Sequence, residues 1–270
     1  MVAETGTSRR KNAHSRVKMA GSAMSELEHA AERLRRARRV VAFTGAGVSA
    51  ESGVPTFRGA GGLWEGHPIE EVATPQGFAA DPHKVWRFYE ERRCNLARCR
   101  PNPAHEVLAR WQGRFPAFTL VTQNVDGLHE DAGAGGVLHL HGSIWTVRCT
   151  SCGRERVERT VPLAAVPPRC PACGAMERPG VVWFGECLPE DVMRAASRAA
   201  AAADVLLVVG TAAVVYPAAG LVQTAAAAGA TVIEVNPEAS ALAHLADVEL
   251  RGPAGVLLPQ LDALLAEVPA

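Results

Sequence analysis

The sequence predicts an α/β fold, a doubly wound parallel sheet that carries a smaller cysteine-bearing domain and a helical insertion. Three observations lead there. Short apolar runs at 40–43, 118–122, 137–140, 205–209, 231–235 and 248–250 alternate with helix-like stretches. A glycine-rich turn, Thr44-Gly45-Ala46-Gly47, directly follows the first run. Two Cys-x-x-Cys pairs sit where the alternation is interrupted.

In chain order, residues 1–24 carry Arg9, Arg10, Lys11, Arg16 and Lys18 among small polar residues, with no apolar period to anchor them, and read as a disordered basic tail. Ser25 with Glu28 has the capping-box spacing, and Leu27, Ala30, Ala31, Leu34 and Ala37 form the apolar stripe of the helix behind it. Ala-rich stretches at 189–203 and 218–228 read as helices between later strands. Residues 59–117 and 146–182 leave the alternation. The first is helix-like and aromatic-bearing (Trp64, Phe78, Trp86, Phe88, Tyr89); the second holds the cysteine pairs and is too proline-rich over 162–171 for a central strand. The expected division is therefore a sheet domain of 25–58, 118–145 and 183–270, a helical insertion of 59–117, and a small domain of 146–182, with a cleft between them.

Composition excludes several classes. The 270 residues, 48% hydrophobic, suit an ordinary globular chain. Its 28 basic and 28 acidic residues cancel, which argues against a dedicated nucleic-acid binder. No apolar run approaches the roughly 20 residues that span a bilayer, and the first residues lack the apolar core of a secretory signal. A cytoplasmic protein is expected, and a mitochondrial transit peptide is the lesser reading of the tail. Seven cysteines, four of them in Cys-x-x-Cys pairs, point to metal rather than disulfides.

Cys149, Cys152, Cys170 and Cys173 have the spacing of a four-cysteine zinc ribbon. Four thiolates close the tetrahedral shell and leave no open position, so one structural zinc is expected. Gly45 to Gly53 offers small residues where a backbone could approach a pyrophosphate at the start of a helix. The acidic residue of an ordinary dehydrogenase, about 20 positions on, is missing. His139 and His141 alternate at a strand end and are expected on one face, where either could be a general base or a satisfied core histidine. Gln123-Asn124-Val125-Asp126-Gly127 also comes directly after a strand and reads alone as a polar turn or as ligand contacts.

Taken in order, Gly45-Ala46-Gly47-Val48-Ser49, Gly53-Val54-Pro55-Thr56-Phe57-Arg58, Gln123-Asn124-Val125-Asp126, His141-Gly142, the cysteine pairs and Val181-Val182-Trp183-Phe184-Gly185-Glu186 resemble the sirtuins over about residues 30 to 265. The resemblance implies a Rossmann-like NAD domain, a small domain with structural zinc, and acyl-lysine bound between them. It implies that NAD is consumed, with nicotinamide, free lysine and O-acyl-ADP-ribose as products. His141 would be the general base. Gly45, Ala46, Gly47, Ser49, Phe57, Arg58, Trp64, Gln123, Asn124, Val125 and Asp126 would hold the cofactor, with Ala46, Phe57 and Arg58 in the cofactor loop and Gln123, Asn124 and Asp126 at the nicotinamide and its ribose. Gly210, Thr211, Ala212, Asn236, Pro237, Glu238 and Ala254 would hold it near the adenosine, and Val182 to Glu186, including Gly185, would meet the substrate. Sirtuins usually show serine where Ala212 stands, so one hydrogen bond worth about 0.5–1.5 kcal/mol is expected to be lost.

Tyr89 and Arg92, three apart in a helix-like stretch, project from one face and could read a carboxylate. Tyr-x-x-Arg at this place is similar to the acidic-acyl pocket of class III sirtuins, and Ala60 would leave room for a longer acyl chain. The expectation is a monomeric deacylase acting on acyl-lysine-bearing proteins, with succinyl and malonyl preferred and acetyl also removed. Neither membrane attachment nor sequence-specific nucleic-acid binding is expected. Protein ADP-ribosyl transfer and an NAD-sensing zinc-ribbon module are the rival readings.

Overall fold

Ser25 opens the described chain as the N-cap of α1 (Glu26–Arg36), and the capping box with Glu28 is formed as expected. The computed structural model describes residues 25–56 and 68–267. The tail at 1–24 and the candidate residues Phe57, Arg58, Ala60 and Trp64 lie outside them.

After α1 the chain enters β1 (Arg39–Thr44) and then the helices α2 (Ile69–Val72), α3 (Pro75–Ala80), α4 (Pro82–Leu96) and α5 (Pro103–Arg114). Next come β2 (Ala117–Thr122), α6 (Leu128–Asp131), β3 (Leu138–His139), β4 (Gly142–Cys149), β5 (Glu155–Val157) and β6 (Glu177–Val181). The last part runs through α7 (Glu190–Ala202), β7 (Val205–Val209), α8 (Gly220–Ala227), β8 (Thr231–Val235), β9 (Val248–Leu250) and α9 (Ala254–Ala266). Six strands pair in parallel in the order β3-β2-β1-β7-β8-β9, each falling on one of the six apolar runs. The apolar runs Val40 to Phe43 of β1 and Val205 to Val209 of β7, and Val232, Ile233 and Val235 of β8, result from burial on both faces, where each fully covered large side chain contributes about 1.5–3 kcal/mol. Helices α1, α5 and α9 cover one face and α7 and α8 the other.

A second, antiparallel sheet of β5-β4-β6 packs against α2 to α4 around Val72, Trp86, Tyr89, Ile144, Val147 and Trp183. The stretch expected as a single insertion over 59–117 therefore divides. Helices α2 to α4 belong with the small sheet, whereas α5 lays Ala104, Val107, Leu108 and Trp111 into the core of the large one.

The sheet order places its switch between β1 and β7, since the chain runs outward from β1 through β2 to β3 and then returns to the other side. At such a switch the loops leaving the carboxyl ends of adjacent strands diverge and leave a crevice.

Candidate active site

Four strand ends feed one cavity of about 710 Å³, a size ordinary for a cofactor site. Gly45, Ala46 and Gly47 come from β1, Gln123, Asn124 and Val125 from β2, Gly210 to Ala212 from β7, and Asn236 to Glu238 from β8. Ala254 arrives from the start of α9. The opposite wall is the Val182-to-Glu186 segment after β6, with Tyr89 and Arg92 from α4 and His141 between the two walls.

The glycines after β1 have a physical cause other than the one expected. A Cβ on Gly45 would stand 2.6 Å from Thr211 Cβ, and one on Gly47 would stand 2.8 Å from Gly210 Cα. The amides of Gly45 and Gly47 donate to Val209 and Gly210 carbonyls at 3.0 and 2.7 Å. Glycine is required because the two loops at the switch touch. The expected helix after this turn is a seven-residue 3-10 segment, Ala46–Ser52, ended by Gly53 at φ 82°.

Gln123 Nε2 donates to Thr211 Oγ1 at 2.9 Å, and Asn236 Nδ2 donates to the Thr211 carbonyl at 3.1 Å, so the three loops brace one another. Asn124 is held more tightly. Its Nδ2 donates to the Gly45 carbonyl and to Ser49 Oγ, both at 3.1 Å. That fixes the amide's orientation and leaves Oδ1 with no partner among the described residues.

Ser49 and Asp126, both expected as cofactor contacts, stand behind the cavity wall. Ser49 Oγ donates to Asp126 Oδ2 at 2.8 Å, while Asp126 Oδ1 accepts from the Leu128 amide at 2.9 Å. Burial raises the Asp126 pKa above the usual carboxylate value against the pull of these donors. Behind Ser49 lies His105, whose Nδ1 accepts from the Asn102 amide at 3.2 Å; its Nε2–H is therefore directed at Ser49 Oγ, 3.3 Å away. His129 packs edge-on against His105, with ring centroids 4.9 Å apart, and its Nε2 is 3.0 Å from Thr44 Oγ1.

Burial drives the pKa of His105 down to about 4 and that of His129 to about 3, against 6.5 in an exposed ring. Both are neutral in the fold, whereas the unfolded chain takes up their protons below about pH 6.5. Their stabilising effect is complete above that pH and is lost as pH falls toward 4. Together they are expected to steepen the loss by up to about 2.7 kcal/mol per pH unit. Urea midpoints measured from pH 7 to 4.5 check this. A His105→Gln/His129→Gln variant should show a flatter profile even if it is less stable at pH 7, and an unchanged slope would rule the pair out as the cause.

His139 and His141 were expected on one face, but only His141 reaches the cavity. Strand β3 ends at His139, which pairs with Glu130 at 2.7 Å; burial alone would lower its pKa, yet this carboxylate leaves it raised. His141 Nδ1 lies 2.9 Å from the Gln123 carbonyl. A carbonyl only accepts, so Nδ1 carries the proton and Nε2 keeps its lone pair. Burial pushes the His141 pKa below 6.5, partly offset by that hydrogen bond, so the ring is neutral at pH 7. Gly142 comes next at φ 72°, where a Cβ would stand 2.2 Å from the Gly180 carbonyl oxygen; glycine there lets β4 meet β6.

The four cysteine sulfurs lie within 4.8 Å of one another, with Cys149 3.4 Å from Cys173 and Cys152 3.8 Å from Cys170. Zinc–sulfur bonds of about 2.3 Å in a tetrahedron put sulfurs about 3.8 Å apart, so the set fits one structural zinc. The amides of Ser151 and Cys152 donate to Cys149 Sγ, as a thiolate ligand at the end of a strand requires.

The model of the Sir2 family matches residues 45–217. The chain belongs to the Sir2 family. Among Sir2 relatives, the NAD-dependent protein deacylase of Aquifex aeolicus is 49% identical over 84% of this chain and 95% of its own. The NAD-dependent protein deacylase 2 of Pyrobaculum aerophilum is 52% identical over 86% and 92%, and the NAD-dependent protein deacylase 1 of Pseudomonas aeruginosa is 51% identical over 85% and 95%. A Sir2 homologue solved with NAD superposes with a TM-score of 0.82 at 46% identity, covering 88% of this chain and 93% of that one.

The Sir2 cofactor, NAD, is consistent with the donor set described: a glycine-bounded crevice at the sheet's carboxyl edge and an oriented Asn124 amide with an unused acceptor. Ala212 is exposed in the wall, where its methyl group offers no hydrogen bond. Sequence reasoning missed Glu51, Leu188 and the 213–217 stretch as wall residues, and His105 and His129 as support. The apolar members of 213–217 carry no chemical signature. His105 could have been found, because Asn102-Pro103-Ala104-His105 has the Asn cap and N1 proline of a helix start, which fixes the direction of His105.

Proposed function

We propose that this NAD-dependent protein deacylase prefers lysines carrying acidic acyl groups, succinyl or malonyl, over acetyl. The observation that supports it is the pair Tyr89 and Arg92, which lines the same cavity as His141 from one face of α4. Asp81 caps α4 through the Lys84 amide at 2.8 Å and Pro82 starts it, so the helix is fixed at the end before the pair. Arg93 fixes the other end. Fully buried, it donates to the carbonyls of Ile144, Glu158 and Thr160 at 2.8–2.9 Å and ties α4 to the small domain.

The Arg92 guanidinium stacks over Phe88 and Tyr89 with centroid distances of 5.4 and 5.6 Å. Burial lowers its pKa, with the Tyr89 phenol and Asp126 acting the other way, and a guanidinium keeps its charge in a protein. A planar guanidinium can give a carboxylate two parallel charge-assisted hydrogen bonds that a neutral acetyl group cannot accept.

Bound NAD supplies the electrophilic ribose carbon and, in nicotinamide, its leaving group. The protein supplies position and proton transfer. Asn124 presents a fixed amide, the glycine loops hold the crevice open, and His141 Nε2 is the site that accepts a proton from a ribose hydroxyl, its tautomer set by the Gln123 carbonyl. Val182 N–H donates to the His141 carbonyl at 2.9 Å, which joins the base to the substrate wall.

The test compares nicotinamide release and lysine deacylation on matched succinyl- and acetyl-lysine peptides. Succinyl is expected to be preferred, and Arg92→Met is expected to lower the succinyl-to-acetyl ratio of kcat/KM by about tenfold or more, the scale of a charged hydrogen bond worth about 1.5–3 kcal/mol. An acetyl preference that Arg92→Met leaves unchanged would refute the acidic pocket. Nicotinamide release without lysine deacylation would instead favour ADP-ribosyl transfer.

A further inference from the structure

The indole of Trp183 lies between the acyl pocket and a charged clamp. Its Nε1 is 3.0 Å from Tyr89 Oη. An indole N–H can only donate, so the phenol oxygen must accept, and its own proton has to point elsewhere. Among the described residues no acceptor meets that hydroxyl hydrogen, although Tyr89 is only 3% exposed and lies in the cavity wall.

Trp183 is itself held from behind. The Arg178 guanidinium carbon sits 3.5 Å from the centroid of the Trp183 ring. Arg178 also forks onto Glu186, at 2.6 and 2.9 Å, and donates to the Val181 carbonyl at 3.0 Å. Glu186 closes the loop by accepting from the Trp183 amide at 2.8 Å. The indole therefore has one orientation, set by a residue that does not line the cavity. Phe78, 5.2 Å away between ring centroids, also packs against it.

We propose that Trp183 is a positioning residue for acyl selection: by donating to Tyr89 Oη it commits the phenol proton to the cavity, making Tyr89 a donor to the acyl carboxylate, with Arg178 and Glu186 holding the indole in place. Without that bond the phenol could turn its proton onto another acceptor. The role rests on the acidic-acyl reading and names what gives the pocket its polarity.

A double-mutant cycle tests it, read as the succinyl-to-acetyl ratio of kcat/KM. Trp183→Phe keeps a ring and removes the N–H. In the wild-type background it should lower the ratio by between about two- and tenfold, the range of one neutral hydrogen bond, mainly through KM for the succinyl peptide. In a Tyr89→Phe background the same change should leave the ratio where Tyr89→Phe alone put it, because the effect passes through the hydroxyl. Arg178→Lys, which keeps the charge and loses the planar fork, should repeat the pattern more weakly and serves if Trp183→Phe folds poorly. An equal fall in both backgrounds, or none in either, overturns the role of Trp183 even when Arg92→Met and Tyr89→Phe lower the ratio. A ratio that Arg92→Met leaves untouched overturns the acidic-acyl reading and this proposal with it.

Discussion

His141→Tyr is expected to remove deacylation of succinyl- and acetyl-lysine alike, by about a hundredfold or more, the usual contribution of a general base. The cause is specific to Nε2. The Gln123 carbonyl takes the Nδ1 proton, so the ring offers one basic nitrogen, and burial keeps that nitrogen unprotonated at neutral pH. The pH profile has a definite sign. With His141 Nε2 as the proposed proton acceptor the neutral ring is the active form, so kcat/KM should fall only as pH drops through the ring's lowered pKa, on the acid side of an ordinary histidine. A wild-type acid limb centred above pH 6.5 would contradict this picture, as would a His141→Tyr enzyme with ordinary turnover. Melting temperature should change little, because the half-buried ring makes one side-chain hydrogen bond.

The sheet was legible because each strand buried on both faces must be a short unbroken apolar run, and such runs stand apart from Ala-rich helices in one sequence. The zinc site was legible for a different reason: four soft ligands at fixed spacing have few other uses. The features hidden in the sequence depend on contacts between distant segments. Helix α5 looked like part of the insertion because no apolar strand run separates it from α4, and only packing assigns Trp111 to the large sheet and Trp86 to the small one. Gly45 and Gly47 looked like a phosphate-facing turn, yet the atoms that exclude a side chain there belong to Gly210 and Thr211, more than 160 positions away. The same holds for Trp183, whose donor role exists only because Tyr89, 94 positions earlier, supplies the oxygen.

Stripping the zinc is expected to abolish activity on every acyl-lysine while leaving the large sheet folded. One zinc per chain should be released by a strong chelator, and Cys170→Ser should bind none. The cysteines close the far end of the small sheet, where Cys149 ends β4 and the amides at Cys170 and Thr150 bond across to Ala175 and Met176. That sheet has only three strands, its β5 is three residues long, and metal binding there supplies folding free energy directly. The acyl pocket shares its foundation. Arg93 needs the carbonyls of Ile144, Glu158 and Thr160, Trp86 donates to the Glu177 carbonyl at 2.8 Å, and Trp183 packs in the same cluster as Val147 and Val181. Loss of the metal should therefore loosen α4 and with it both Tyr89 and Arg92. The parallel sheet has its own core on both faces and should keep its far-ultraviolet dichroism. Tryptophan fluorescence should change, because Trp86, Trp145 and Trp183 lie in the small-domain cluster and only Trp111 among the described tryptophans lies in the large core. Full deacylation by a metal-free chain would show that the two domains are not coupled in this way, and unfolding of the whole chain on zinc loss would show that they are coupled more tightly than their separate cores imply.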